Sequence, residues 1–252
     1  MPVGVITDTT CDLPVATLKR VRVHAVPLWV HVGSDRYRDW HDLEPGTAVE
    51  LISNQGIVPL VKSPSVEDLM RSLDRALQEH EHVVAIHVAS AFSSTYGNAA
   101  AAVERLGAGA HVTLVDSGSV GPGLAELVLA AANLARHGVP PEEIRARITA
   151  LKGEIHGFLS PSAAGWGRNG RLLGRVRARR YRTMGRRPIM GVHASELTTL
   201  RWAPERRLAD GLVAAVAARY GTRRIYLAIS HTGPGGTGLT QLQEAVERSG
   251  LQ

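Results

Sequence analysis

The sequence predicts an α/β fold: two α/β domains, the first built on a mostly parallel sheet. Three observations predict it. Short β-branched runs alternate with longer stretches of helical periodicity from the first residues onward, the pattern of repeated strand–helix winding. The chain has 252 residues with 44% hydrophobic and 21% charged content, enough to bury about 70 to 75% of the surface that the unfolded form exposes. The single cysteine, Cys11, excludes an internal disulfide, so packing must hold the fold, as is usual in a reducing compartment.

The elements follow in order. Val3 to Ile6 is the first strand, Thr7 to Asp12 a polar turn, and a short helix starts at Leu13. A second strand, Val21 to Val32, is interrupted by Pro27; Gly33-Ser34-Asp35 is turn chemistry, so Tyr37 lies in a returning hairpin or loop. A helix from Pro45 to Ser53 comes next. Val66, Leu69, Met70, Leu73 and Leu77 recur at helical spacing after Pro64, which makes Ser65 to Glu79 an amphipathic helix. His82 to Val88 and His111 to Val115 are strands, and Thr95 to Leu106, Gly123 to Arg136 and Glu142 to Leu151 are helices. The pattern then changes, which places a domain boundary between residues 154 and 155: an N-terminal domain over 1–154 and a C-terminal domain over 155–252. The second domain holds an arginine-rich stretch to Arg187, a strand or hairpin from Ile189 to Trp202, a helix from Pro204 to Ala218, a strand from Arg224 to Ser230 and a helix from Leu239.

Composition narrows the function. Twenty-nine Lys+Arg against 23 Asp+Glu give a net charge of +6 and a pI near 10.0, compatible with an anionic ligand or partner. Aromatic residues are only 4%, which argues against the stacking platforms of RNA and single-strand binders. No run reaches the roughly 18 apolar residues of a membrane span, and no signal core follows Met1, so the expectation is a soluble, cytoplasmic protein. The eleven histidines show no metal-ligand spacing. Glycine-rich phosphate cradles are missing after every strand, so neither metal nor nucleotide cofactor is expected.

In an open α/β sheet, ligands bind outside the carboxyl ends of the strands, so the loops after strands should carry the chemistry. Four are rich in hydroxyls or acids: Thr7-Asp8-Thr9-Thr10, Ser90-Ala91-Phe92-Ser93-Ser94-Thr95, Asp116-Ser117-Gly118-Ser119 and His231-Thr232-Gly233-Pro234-Gly235. The second loop opens a helix at Thr95. Its serines either cap that helix or, with the free amides of its first turn, accept a carboxylate or phosphate. Asp8 lacks the second acid of a strand-Asp-x-Asp phosphotransferase, since Thr10 stands there, and reads first as a turn cap. His231 ends an apolar strand before two glycines that allow close ligand approach, or is a hydrogen-bonded turn histidine. Nine arginines from Arg168 to Arg187, among them Arg171, Arg177, Arg179 and Arg180, form either a solvated face or a contact for phosphate, protein or nucleic acid.

Several stretches share order and spacing with one family. They are Ile6-Thr7-Asp8-Thr9-Thr10-Cys11-Asp12-Leu13-Pro14, Val26-Pro27-Leu28 with Tyr37-Arg38-Asp39, Phe92-Ser93-Ser94-Thr95-Tyr96, Val115-Asp116-Ser117, Asn169-Gly170-Arg171-Leu172 and Arg187-Pro188-Ile189. Over nearly its whole length the chain resembles the DegV family of fatty-acid-binding proteins that serve bacterial fatty acid kinases. The resemblance implies two α/β domains with an apolar ligand tunnel between or within them. Ser93 matches the carboxylate-binding serine of a Leu-Ser-Gly-Thr motif, joined by Ser94 and Thr95, and Arg171 matches the arginine of a Gly-Gly-Arg motif. Val61 stands where the family places a carboxylate-binding threonine, with Lys62 or Ser63 placed to compensate. His231 lies in a His-Thr-Gly-Pro-Gly run that the family sets near the head group after its last helix, whereas here the run precedes that helix.

The function implied is non-catalytic: a carrier that holds one long-chain fatty acid as ligand and presents its carboxylate to an ATP-dependent fatty acid kinase. Arg171, Arg177, Arg179 and Arg180 would contact phosphate or partner, no specific nucleic acid would bind, and transient membrane contact is allowed. The competing reading is a small-molecule hydrolase or phosphatase using Asp8, Ser93 and His231.

Overall fold

The structure, a computed structural model, describes residues 3–44, 46–48, 50, 59–109, 111–161, 184–221, 223–230 and 237–251. The chain forms two compact units: Met1–Ile155 with His193–Glu196, and His156–Val192 with Leu197–Gln252.

The first unit is built on a four-stranded parallel sheet. Its strands are β1 (Val3–Asp8), β2 (Val23–Val26), β6 (His82–His87) and β7 (Val112–Asp116), in spatial order β2-β1-β6-β7. Every residue of β1 is buried, as expected for a parallel strand covered on both faces. Side chains alternate between two cores. Val3, Val5, Val84, Ile86 and Val115 pack beneath α1 (Val15–Val21), α4 (Pro122–Arg136) and α5 (Pro141–Glu154), against Leu18, Leu124, Leu127, Ile144 and Ile148. Ile6, Val26, Val83, Ala85 and Val112 pack on the other face beneath α2 (Val66–Glu79) and α3 (Thr95–Leu106), against Leu69, Leu73, Ala99 and Ala102. The result is a three-layer, doubly wound arrangement.

The start of α2 is set by a capping box: Ser65 Oγ accepts from Asp68 N at 3.1 Å while Asp68 Oδ2 accepts from Ser65 N at 3.0 Å. The same carboxylate oxygen accepts from Trp29 Nε1 at 3.0 Å. Trp29 belongs to a small antiparallel sheet, order β4-β3-β5, made of β3 (Trp29–Val32), β4 (Asp35–Arg38) and β5 (Leu60–Lys62).

The strand expected from Val21 to Val32 with a break at Pro27 is two strands in two sheets. Pro27 has no N–H for a ladder, and Leu28 N donates to Thr9 Oγ1 at 3.1 Å instead of pairing along an edge. The chain leaves the parallel sheet there. Residues 46–48 and 50 are helical, and the rest of the expected helix from Pro45 to Ser53 lies outside the described residues.

The second unit contains an antiparallel sheet of β8 (Gly157–Leu159), β9 (Arg186–His193) and β10 (Glu196–Pro204), order β10-β9-β8, with α6 (Leu208–Tyr220) and α7 (Thr237–Ser249). Ile189, Ala203 and Ala215 form its core. Gly211 is required in α6 because a Cβ there would lie 2.7 Å from Ile189 Cδ1 and 2.9 Å from Ala203 Cβ. The helix starts later than the expected Pro204, because Pro204 is still extended at ψ 140 and ends β10. The strand expected from Arg224 to Ser230 is absent: residues 223–230 pair with no strand among the described residues, and Tyr226 is 82% exposed. Strand propensity records fit to a half-buried pleated surface, and this segment meets none among the described residues.

Candidate functional site

Three of the loops singled out in the sequence lie at the carboxyl edge of neighbouring strands β1, β6 and β7, and they are bonded to one another. Val88 N donates to Asp8 Oδ2 at 3.0 Å, which joins the first loop to the second. Ser90 Oγ donates to Asp116 Oδ2 at 2.5 Å, and Ala89 N donates to Ser119 O at 3.0 Å, which join the second to the third. Gly121 N closes back on Thr10 O at 2.8 Å. The fourth loop, with His231, lies outside the described residues, as do Arg171, Arg177, Arg179 and Arg180.

The second loop carries a connected set of hydroxyls. Ser94 Oγ donates to Ser63 Oγ at 2.9 Å, Ser63 Oγ lies 2.9 Å from Ser93 Oγ, and Ser93 Oγ lies 2.8 Å from Thr95 Oγ1. Thr95 is fully buried, Ser63 and Ser93 are half-buried and Ser94 is exposed. Ser94, although it is the N-cap residue of α3, makes no side-chain cap; its hydroxyl goes to Ser63 instead. Ser93 Oγ accepts from Thr95 N at 3.3 Å. Ser63 is held by its position between β5 and the capping box of α2, and Asn98 Nδ2 fixes the adjoining turn by donating to Pro64 O at 2.7 Å. These four hydroxyls satisfy one another, and each hydroxyl hydrogen can rotate toward an incoming acceptor. They stand at the start of α3, where first-turn amides lack intrahelical acceptors and carry partial positive charge.

Val61 is placed differently. It lies in edge strand β5 opposite Val30 and is 54% exposed, two residues before Ser63. Lys62, beside it, is exposed.

Asp8 is fully buried and held on all sides. Oδ1 accepts from Thr10 N at 3.2 Å and from Thr10 Oγ1 at 2.5 Å; Oδ2 accepts from Val88 N and faces His87 Nδ1 at 3.0 Å. Burial pushes this carboxyl up, but the hydrogen bond and charge of His87, with the donors from Thr10 and Val88, hold it below its ordinary value. Asp8 thus caps the turn after β1 and ties β1 to β6, with both oxygens engaged.

His87 was not singled out in the sequence. The available signal was a histidine ending an apolar buried strand, level with an aspartate ending the adjacent parallel strand.

Asp12 and Asp39 complete an acidic neighbourhood around this turn. The Asp12 side chain is exposed to solvent while its carboxyl sits among close-packed neighbours, and this desolvation, then the charges of Asp39 and Asp8, raise it from 3.8 to about 6, with solvent screening reducing the effect. Burial also raises Asp39. A carboxyl with a raised folded-state value holds its proton in the folded protein where the unfolded chain has lost it, so stability falls as pH rises from about 4 to 6. Asp12→Asn should flatten that decline, because asparagine keeps the left-handed backbone of residue 12 (φ 55) and carries no charge. Urea midpoints at pH 4.5 and 7 would check it; an unchanged pH dependence would refute it.

Among the described residues, no group of three or more His, Cys, Asp or Glu is placed to hold a metal, and no helix is long and apolar enough to cross a membrane.

Fold and site define a doubly wound α/β protein with hydroxyls gathered at the carboxyl edge of its parallel sheet. The family model described as "Uncharacterised protein, DegV family" matches residues 2–251, and the chain belongs to that family. A DegV domain-containing protein of Deinococcus radiodurans is 32% identical over 138 residues, covering 55% of this chain and 48% of the relative. One from Clostridium perfringens is 26% identical over 191 residues, covering 75% and 67%. The chain spans about half the length of most of the curated relatives it matches.

Among solved structures, a DegV family protein from Thermus thermophilus, described by its fatty acid binding, superposes with a TM-score of 0.80 at 26% identity, covering 100% of this chain and 89% of the other. A fatty acid binding DegV family protein from Streptococcus agalactiae gives a TM-score of 0.82 at 19% identity, with coverage of 100% and 89%, which shows the shared fold.

Proposed function

We propose that this protein is a non-catalytic binder of one long-chain fatty acid, whose carboxylate is received by the hydroxyls of Ser93, Ser94, Thr95 and Ser63. The observation that carries this reading is the linked set of four hydroxyls at the start of α3. A carboxylate offers up to four acceptor lone pairs, and rotatable hydroxyls beside helix amides match that demand. The fatty acid binding described for the Thermus thermophilus relative supports the ligand class. Asp8, with both oxygens engaged and no exposed surface, is poorly set to be a nucleophile.

The finer reading is that the carboxylate is presented to an ATP-dependent fatty acid kinase, with Arg171, Arg177, Arg179 and Arg180 as the docking surface. The basic net charge of +6 is compatible with an acidic partner.

Burial of about 15 methylenes at roughly 0.8 kcal/mol each supplies on the order of 12 kcal/mol before ordering costs, against about 1.5 to 3 for one hydrogen bond to a charged group. The tail therefore provides affinity and Ser93 provides orientation. Ser93→Ala should weaken binding roughly tenfold to a hundredfold without abolishing it. Mass spectrometry of lipid retained by the purified wild-type and variant proteins tests both parts: no lipid on the wild type sinks the ligand class, and an unaltered affinity in the variant sinks the role of Ser93.

A further inference from the structure

The Asp8–His87 pair leaves one ring nitrogen unexplained. His87 is fully buried, its Nδ1 faces Asp8 Oδ2 at 3.0 Å, and its Nε2 is buried with no hydrogen-bond partner among the described residues. Because Asp8 is held in its ionised form and can only accept, the Nδ1 proton belongs to the histidine. Nε2 then offers a lone pair, or a proton when the ring is charged, to a group that the described residues do not supply. A buried polar nitrogen without a partner is costly, so native proteins rarely leave one.

Strand parity locates that nitrogen. His87 follows Val83 and Ala85 at intervals of two on β6, and Asp8 follows Ile6 on β1; Ile6, Val83 and Ala85 all pack beneath α2 and α3. His87 is the last residue of β6 on that face. Both helices begin at the same carboxyl edge, α2 after Ser63-Pro64-Ser65 and α3 after Ser93-Ser94. The hydroxyl set and the unpartnered nitrogen thus share one sheet face and one end of it.

We propose that His87 is a further head-group-binding residue: its Nε2, oriented by Asp8, makes a direct hydrogen bond to the carboxyl group of the bound fatty acid. This inference rests on the fatty-acid reading given above. It assigns Asp8 a positioning role, since that carboxylate fixes the ring orientation and the tautomer.

The two nitrogens can be separated by substitution. Asparagine reproduces a donor near the position of Nδ1 and has nothing at Nε2, so His87→Asn keeps the bond to Asp8 and deletes only the proposed contact. With palmitate as probe, titration calorimetry should show affinity reduced about tenfold or more, while the ligand-free variant melts near the wild-type temperature. Equal affinity in the two proteins would overturn the proposal. If the variant does not fold, a crystal structure of the wild-type protein loaded with palmitate decides: Nε2 within about 3.2 Å of a carboxyl oxygen supports it, and Nε2 bonded only to an internal water overturns it. Failure of wild-type protein to bind palmitate at all would instead overturn the fatty-acid reading, so the two failures are distinguishable.

Discussion

Asp8→Ala should cost the first unit about 3 kcal/mol or more, since each buried donor left without its acceptor costs about 1 to 3 kcal/mol. The substitution strands His87 Nδ1, Val88 N and Thr10 N together, in a region with no exposed surface at Asp8 or His87. It also removes the side chain that, among the described residues, ties the ends of β1 and β6 through one carboxylate. Asp8→Asn keeps one acceptor oxygen and should lose less. Denaturant unfolding of the two variants beside wild type measures the difference; a loss below about 1 kcal/mol for the alanine variant would mean that water replaces the carboxylate without strain. The sign with pH is opposite to that of Asp12. Asp8 sits below its ordinary value, so its contribution is complete above about pH 4 and fades as pH falls through the folded-state value.

Leu69→Ala and Leu127→Ala should each destabilise by roughly 2 to 5 kcal/mol, since both side chains are completely buried and leave a cavity. Their effects on ligand should differ. Leu69 lies in the first turns of α2, under the helix whose capping box holds the segment carrying Ser63, whereas Leu127 packs in the opposite core beneath α4. A shift of α2 moves Ser63 relative to Ser93, a 2.9 Å contact, so Leu69→Ala should also weaken fatty acid retention, and Leu127→Ala should not. Lipid content measured well below both melting temperatures would check this. Equal retention in the two variants would show that Ser63 is positioned by β5 alone.

Net charge and arginine density were plain in the sequence, yet they name no partner, because charge is non-directional and says nothing of geometry.

The sequence by itself determined the winding of the first unit. Strand and helix periods of 2 and about 3.6 are local properties, so the helix from Thr95 to Leu106 was legible to its end residues and the strand beginning at His82 to within one. It also supplied the hydroxyl-rich loop, since Ser93, Ser94 and Thr95 are contiguous and lead into a helix that starts at Thr95. Tertiary structure alone decided what those residues meet. Ser63 lies thirty residues from Ser93, and Asp8 lies seventy-nine from His87; only the parallel register of β1 and β6 and the shared start of α2 and α3 bring them within 3.0 Å. The strand expected at Arg224 to Ser230 failed for the same reason, because a strand exists through its neighbour and no sequence window contains one. Periodicity is written residue by residue, whereas hydrogen-bond partners across the chain are fixed by which surfaces must be buried together.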